Sequence, residues 1–184
     1  MTKVDRRILK SQEALKKAII ELMAEKNLDQ ITVQDIADRA DVSRKTFYLR
    51  YLDKFDLLDK LIEEHINEMQ IMCESANEMD YLDGSVSWFE YFESNYSFFS
   101  AMLDSKGAPF FRTRFLDFLI KDMKNGWDIN VNEGKNAGLN EEVILHFFAT
   151  AYLGAVEWWF KNEKPCPPHV MEYQMRVLLE RNLE

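Results

Sequence analysis

The chain has 184 residues, of which 47% are hydrophobic and 30% are charged, and its formal net charge is −9 at pH 7. This length and composition allow one or two domains with a packed core. The two cysteines, Cys73 and Cys166, are too few for a disulfide framework and lack the paired spacing of a zinc site. Segment 1–10 has no apolar stretch like that of a signal peptide, and no uninterrupted apolar run reaches the roughly 20 residues that cross a bilayer. We therefore expect a soluble, cytoplasmic protein without membrane contact.

The negative charge is unevenly distributed along the chain. Residues 1–54 hold 12 lysines and arginines against 9 acidic residues, whereas the remainder holds 11 against 23. Charges act over about a Debye length, roughly 10 Å at moderate salt, so the local sign matters more to an anionic partner than the total. The positive first segment is therefore compatible with nucleic-acid binding.

Helical periodicity dominates the first half of the chain. Helices are predicted over residues 7–26, 32–40, 44–51 and 53–73. The first has apolar residues at three- and four-residue intervals, as an amphipathic helix requires. Thr32 stands three residues before Asp35, close to a capping-box pattern, and Ser43 and Asp53 are suitable N-caps for the third and fourth helices.

The second half is also predicted to be helical. After a loop at 80–84, helices are predicted over residues 88–99, 110–125, 141–162 and 168–182. Residues 105–109 interrupt this series, and residues 125–140, with three glycines and five asparagines, form the longest predicted loop. No segment has the alternation of a strand. The predicted fold class is all-α with about nine helices, divided into domains at 1–53 and 54–184.

Segment 32–54 carries the clearest functional pattern. Its two short helices are separated by a few residues and have small or apolar side chains at Ile36, Ala37, Val42 and Phe47, as in a helix-turn-helix. The second helix of this motif presents its N-terminal residues to base edges in the major groove. Arg44 and Lys45 are candidates to donate to guanine, and Thr46 and Tyr48 to contact bases or phosphates.

Residues 31–58, ITVQDIADRADVSRKTFYLRYLDKFDLL, resemble the signature of the TetR/AcrR family, and the resemblance extends over residues 7–60 with the preceding helix. It implies a set of DNA contacts at Thr32, Ser43, Arg44, Lys45, Thr46, Tyr48 and Lys54. Arg50 stands where the family often has histidine or another polar residue, and we expect it to add a contact to the DNA backbone. Asp41 stands where the family usually has glycine in a left-handed turn. Aspartate tolerates that conformation better than most residues, so we expect local strain and an unchanged fold.

Residues 91–107 and 151–179 look like a C-terminal domain common in TetR-type proteins of Firmicutes. The second segment falls where the family forms its dimer, and small residues such as Ala151, Gly154 and Ala155 would allow close helix approach. The resemblance implies a dimer interface at Ile144, Phe148, Ala151, Tyr152, Ala155, Trp159, Val170, Val177 and Leu178.

The family arrangement also implies a pocket for a small-molecule effector. Candidate lining residues are Phe89, Phe92, Phe99, Met102, Phe115, Phe118, Phe148 and Trp158. The alternative is that these side chains only pack a core. His65, His146 and Cys73 have no metal-ligand spacing, and no catalytic constellation is recognisable, so neither a metal, a fixed cofactor nor an enzyme is expected.

The resemblance therefore implies a homodimeric, ligand-responsive repressor that binds a palindromic DNA operator. An alternative from another class is an adaptor or coactivator that binds a partner protein with little DNA affinity of its own. The modest positive charge of residues 1–54 is compatible with the adaptor, whereas the cationic side chains of the motif favour DNA.

Overall fold

The structure is a computed structural model that describes residues 3–77, 88–104, 109–127 and 129–183. These residues form nine α-helices, two 3₁₀ turns and no strand, which confirms the all-α class. The helices are α1 (Lys3–Glu25), α2 (Val33–Arg39), α3 (Arg44–Tyr48), α4 (Lys54–Asn77), α5 (Trp88–Ser94), α6 (Tyr96–Asp104), α7 (Pro109–Gly126), α8 (Glu141–Lys161) and α9 (Pro168–Leu183). The 3₁₀ turns are Leu28–Gln30 and Gly134–Asn136. The loop predicted at 80–84 and residues 105–108 lie outside the described residues.

Two compact units divide these helices. The first unit comprises residues 1–67 and 97–109, and the second unit comprises residues 68–96 and 110–184. This division differs from the domain boundary predicted between residues 53 and 54. The first half of α4 belongs to the first unit because Leu57 and Ile62 are completely buried there. Helix α6 belongs to it as well, and its Phe98 ring stacks on His65 of α4 with 3.8 Å between centroids.

The core of the first unit joins its three N-terminal helices. Leu15 and Ile19 of α1, Ile36 and Ala37 of α2 and Phe47 of α3 have no exposed surface. Burying one large apolar side chain stabilises a fold by about 1.5–3 kcal/mol, so these contacts fix α2 and α3 against α1. The methyl side chain of Ala37 leaves the space that a close crossing of two helices requires.

The aromatic segment predicted as one helix over residues 88–99 is two helices. Helix α5 ends at Ser94, and α6 begins at Tyr96. The backbone N–H and the side-chain Nδ2 of Asn95 both donate to the Tyr91 carbonyl oxygen, at 3.0 and 3.1 Å. Asparagine side chains bond nearby backbone groups in this way and favour helix ends, which is why the single-helix prediction was wrong.

Aromatic rings fill the core of the second unit. Phe89 of α5 packs edge-on against Trp159 of α8 at 5.3 Å between centroids, and Phe92 packs edge-on against Phe115 of α7 at 5.9 Å. The indole Nε1 of Trp159 donates to the Cys166 carbonyl oxygen at 2.8 Å, so its polar group is satisfied inside the core. The second unit is thus held by edge-to-face packing of large rings.

Helix α8 is apolar on two faces. Among the described residues it is the one helix long and apolar enough to cross a membrane, and half of its most apolar 18-residue window is buried inside the structure. The opposite side exposes 65% of Val143, 67% of Phe147 and 51% of Trp158. Burial in the core therefore explains one face of α8, and no element in the described part of the chain covers the other.

Candidate nucleic-acid interface

A reciprocal cap fixes the start of α2. The Thr32 hydroxyl accepts from the Asp35 N–H at 3.1 Å, and the Asp35 carboxylate accepts from the Thr32 N–H at 2.8 Å. The Lys26 ammonium donates to the same carboxylate at 2.9 Å and, with the bonds from Thr32, lowers the pKa of Asp35 to about 2. The predicted capping box is confirmed, and Thr32 remains an exposed side chain at the N-terminus of α2.

The turn between α2 and α3 contains Asp41, whose φ of 53° confirms the expected left-handed conformation. The N–H of Val42 donates to the Ala37 carbonyl oxygen at 3.0 Å and closes the turn. Aspartate tolerates this region better than most residues, so the helix-turn-helix geometry forms without glycine.

Helix α3 is anchored on one side and exposed on the other. The Ser43 hydroxyl caps the helix by accepting from the Thr46 N–H at 3.1 Å, and the two hydroxyl oxygens lie 2.9 Å apart. Phe47, with no exposed surface, holds the helix on the core of the first unit. Arg44 and Lys45 are exposed at the N-terminal end of the helix. The sequence Ser-Arg-Lys-Thr thus places hydroxyl and cationic groups on one accessible helix end.

The cations in and after α3 differ from Lys26 and Arg39 of the same unit in their partners. Within the described part of the chain, no carboxylate forms an ion pair with Arg44, Lys45 or Arg50, whereas Lys26 and Arg39 are paired with Asp35 and Glu25, respectively. The Arg44 guanidinium instead lies 5.7 Å from the centre of the Tyr48 ring, with Nη2 3.4 Å from the Tyr48 hydroxyl. Their charge is therefore free to bind an anion.

Lys54 occupies a different environment from the other predicted contacts. Its ammonium donates to the carbonyl oxygens of Leu28, Asp29 and Ile31 at 2.8, 3.2 and 2.8 Å. An ammonium has three donors, so these three carbonyls match its whole capacity. Lys54 joins the start of α4 to the connection between α1 and α2, and its predicted contact with DNA phosphate stays a prediction.

We expect Lys54→Met to destabilise the first unit by about 2 kcal/mol or more, because hydrogen bonds to a charged group contribute about 1.5–3 kcal/mol and three carbonyls would lose a donor. Urea unfolding measures this change. Lys17→Met is the matched control, because the Lys17 side chain is 79% exposed. If Lys54→Met unfolds like the control but binds DNA more weakly, Lys54 acts on phosphate and the structural role is wrong.

The fold and this surface define a class of protein. A short helix with unpaired cations follows a tight turn and a capped helix, and a separate helical unit is attached. This is a helix-turn-helix regulator that binds DNA. The family description "Bacterial regulatory proteins, tetR family" matches residues 15–61, and "Transcriptional regulator C-terminal region" matches residues 79–181. Because the second match covers more than half of the chain, the chain belongs to the TetR family of transcriptional regulators.

Individual relatives agree with this assignment. The chain is 37% identical over 67 residues to the uncharacterized HTH-type transcriptional regulator YxbF of Bacillus subtilis (strain 168), a match that spans 36% of the chain and 18% of that protein. A TetR transcriptional regulator from Streptococcus agalactiae 2603V has a similar fold, with a TM-score of 0.71, 24% identity and coverage of 95% and 96% of the two chains. The dihydroxyacetone kinase operon activator DhaS has a TM-score of 0.61, 18% identity and coverage of 94% and 96%. These structural similarities concern the fold alone.

The residues predicted for a dimer interface do not share one surface. Ala151 and Leu178 are exposed, and Ala155, Val170 and Val177 are half-buried. The remaining four are buried side chains of the second unit, namely Ile144, Phe148, Tyr152 and Trp159. The chain's own core covers these four side chains, and their predicted part in a dimer interface stays a prediction. The exposed large apolar residues of α8 are Val143, Phe147 and Trp158, none of which was among the predicted interface residues.

The predicted pocket residues are also divided. Phe99 and Met102 belong to the first unit, whereas Phe89, Phe92, Phe115, Phe118 and Phe148 are buried in the second unit. Trp158 lies on the exposed face of α8, and its predicted place in a pocket stays a prediction. The rings in the second unit pack against one another, as described above, so core packing accounts for most of them.

Proposed function

We propose that this regulator is a cytoplasmic, ligand-responsive repressor that binds a palindromic DNA operator as a homodimer. The observation that carries the proposal is the exposed N-terminal end of α3, where Arg44 and Lys45 have no acidic partner among the described residues. In helix-turn-helix proteins this end of the second helix contacts base edges. Arginine and lysine donate to guanine O6 and N7, so at least one guanine is expected in each half-site.

The exposed face of α8 supports a homodimer. We call Val143, Phe147, Ala151, Gly154 and Trp158 the α8 face. Apolar side chains recur here every three or four residues. Beyond the adjoining residues and backbone of its own helix, no atom of the described residues lies within 4 Å of a Cβ placed on Gly154. Its own packing therefore does not require glycine, which costs a helix interior about 0.5–1 kcal/mol relative to alanine. Close approach of the same helix from a second copy explains both the small residue and the apolar side chains.

Regulation would follow from two arrangements of the dimer. A ligand bound in the second unit can release DNA only if it binds more tightly to the arrangement that fits the operator poorly. Each tenfold difference in ligand affinity between the two arrangements corresponds to about 1.4 kcal/mol of coupling. Repression, as opposed to activation, is the part of the proposal that requires a measurement of transcription with and without the protein.

Selection of bound sequences from random duplex DNA tests the proposal. The expected result is a palindromic motif with two half-sites about one turn of DNA apart. Each half-site would contact the α3 helix of one chain of the dimer. Recovery of no motif at low salt would contradict sequence-specific binding. That outcome would favour the adaptor that acts through a partner protein.

A further inference from the structure

The second unit contains a group of polar side chains that neither DNA binding nor the α8 face uses. Five helices contribute one residue each, and we call them the polar cluster: Cys73, Trp88, Asp122, Tyr152 and Glu172. Burial and then the nearby Asp122 carboxylate raise the pKa of the Cys73 thiol to about 12, and the Trp88 side chain opposes this shift. The Glu172 carboxylate accepts from the backbone N–H groups of Trp88 and Phe89, the latter at 3.4 Å. The cluster therefore links helices α4, α5, α7 and α9 by polar contacts.

Tyr152 has an unused hydroxyl group in this cluster. The residue is only 5% exposed, yet no described residue forms a hydrogen bond with its hydroxyl. Every fully buried polar side-chain atom among the described residues has a partner, so the Tyr152 oxygen borders a space that a water-sized group can reach. Burial, followed by the nearby charges of Glu172, Cys73 and Asp122, raises the pKa of this hydroxyl well above its usual value. The hydroxyl thus lies beside the acidic members of the cluster.

Burial raises the pKa of both carboxyl groups in the cluster. For Asp122, Cys73 is the one group of the described chain that lowers the raised pKa. No lysine or arginine of the described chain does so. Burial also raises the pKa of Glu172 to about 7. The backbone N–H groups of Phe89 and Trp88 and the charge of Arg176 lower it, but by less. Asp122 and Glu172 are half-buried, so each carboxylate loses part of its hydration, and a bound cation would offset that cost.

Aromatic rings border the same cluster. The Trp88 ring centroid lies 5.5 Å from that of Phe118 and 5.4 Å from that of Tyr152. Faces of aromatic rings attract organic cations as well as apolar groups. The described residues include no group of three or more His, Cys, Asp or Glu side chains that could hold a metal ion. The surroundings therefore suit an organic ammonium ion, whose carbon atoms can lie against the rings.

We propose that the polar cluster binds a small organic cation with at least one N–H donor. Its ammonium group would donate to the Asp122 carboxylate and the Tyr152 hydroxyl, and its carbon chain would lie against Trp88 and Phe118. The role of this cation as an effector rests on the proposed function, whereas its binding to the free protein does not. Cys73 would connect the bound cation to α4, the helix whose first half belongs to the first unit.

Calorimetric titration of the free protein tests the site without DNA. The probes are methylammonium, n-butylammonium and benzylammonium chloride, each compared with the neutral alcohol of similar size at equal ionic strength and near-neutral pH. We expect at least one ammonium ion to bind one site per chain and its alcohol to bind at least about tenfold more weakly. Asp122→Asn is expected to weaken binding of the ammonium ion by a similar factor, and Tyr152→Phe is expected to weaken it severalfold. Asp117→Asn, at an exposed position of the same helix α7, is the matched control and should bind like the native chain.

Three results would overturn the proposal: no ammonium ion of the series binds, the alcohols bind equally well, or Asp122→Asn binds like the native chain. Asp122→Asn removes a half-buried charge that no lysine or arginine of the described chain offsets, so its thermal unfolding temperature should be unchanged or higher. Circular dichroism checks this, and Tyr152→Phe provides a second variant if folding is lost. Because DNA is absent, failure of this site leaves sequence-specific DNA binding intact, and the reverse also holds.

Discussion

Replacing Arg44 and Lys45 together by alanine is expected to weaken binding to the selected operator by about 100-fold or more. Both side chains are exposed at the N-terminal end of α3 and lack an acidic partner in the described chain. One good contact to a base edge contributes about 1–3 kcal/mol of discrimination, and tenfold in affinity corresponds to about 1.4 kcal/mol. The helical content should not change, because Phe47 and the Ser43 cap hold α3 in place. Fluorescence anisotropy with a labelled operator measures the affinity.

A second double variant separates base contacts from total charge. The variant Lys17→Ala with Lys124→Ala also removes two positive charges, but from exposed positions on α1 and α7. This control should weaken the operator complex by less than about fivefold, since distant exposed charges are screened by salt. Equal losses for the two double variants would mean that α3 does not contact base edges and that only the summed charge attracts DNA.

Phe147→Glu is expected to make the protein monomeric at micromolar concentration. Phe147 is 67% exposed on the α8 face, so it contributes little to the core of its own chain. A central aromatic residue of an interface typically contributes about 2 kcal/mol or more. A twofold axis doubles the effect, because both chains carry the substitution, and the dimer dissociation constant should rise by about 1,000-fold. Operator affinity should fall as well, because one monomer contacts only one half-site.

Sedimentation equilibrium measures the association of this variant, and urea unfolding measures its stability. Ile71→Glu is the control, because Ile71 of α4 is also exposed and belongs to the same unit. It should remain dimeric. The free energy of unfolding of the Phe147→Glu chain as a monomer should change by less than about 0.5 kcal/mol, as is usual for surface substitutions. A dimer of unchanged affinity would show that the α8 face is not the interface.

The helix-turn-helix could be predicted from the sequence because its signals are local. Thr32 with Asp35 and Ser43 with Thr46 lie three residues apart and form the caps that the sequence indicated. Asp41 is one of the few residue types that tolerates the left-handed turn. Each feature depends on neighbours within one turn of helix, so no knowledge of the tertiary structure was required.

The partners of Lys54 and the faces of α8 could not be predicted in the same way. The three carbonyls bound by Lys54 are 23 to 26 residues distant in sequence and have no side-chain signature. Helix α8 has apolar residues on both sides, so its periodicity does not tell which side the core covers. Ile144 and Val143 are neighbours of similar hydrophobicity, and only the packing of the second unit decides that the former is buried and the latter exposed.

We propose above that a dimer of this protein distinguishes one DNA sequence through its α3 helices. The most direct test is a titration of the selected palindrome and of a scrambled duplex of equal length over a range of salt concentrations. We predict two chains per palindrome and an affinity at least about 1,000-fold above that for the scrambled duplex, with both affinities falling as salt rises. Equal affinity for the two duplexes at every salt concentration would contradict the claim.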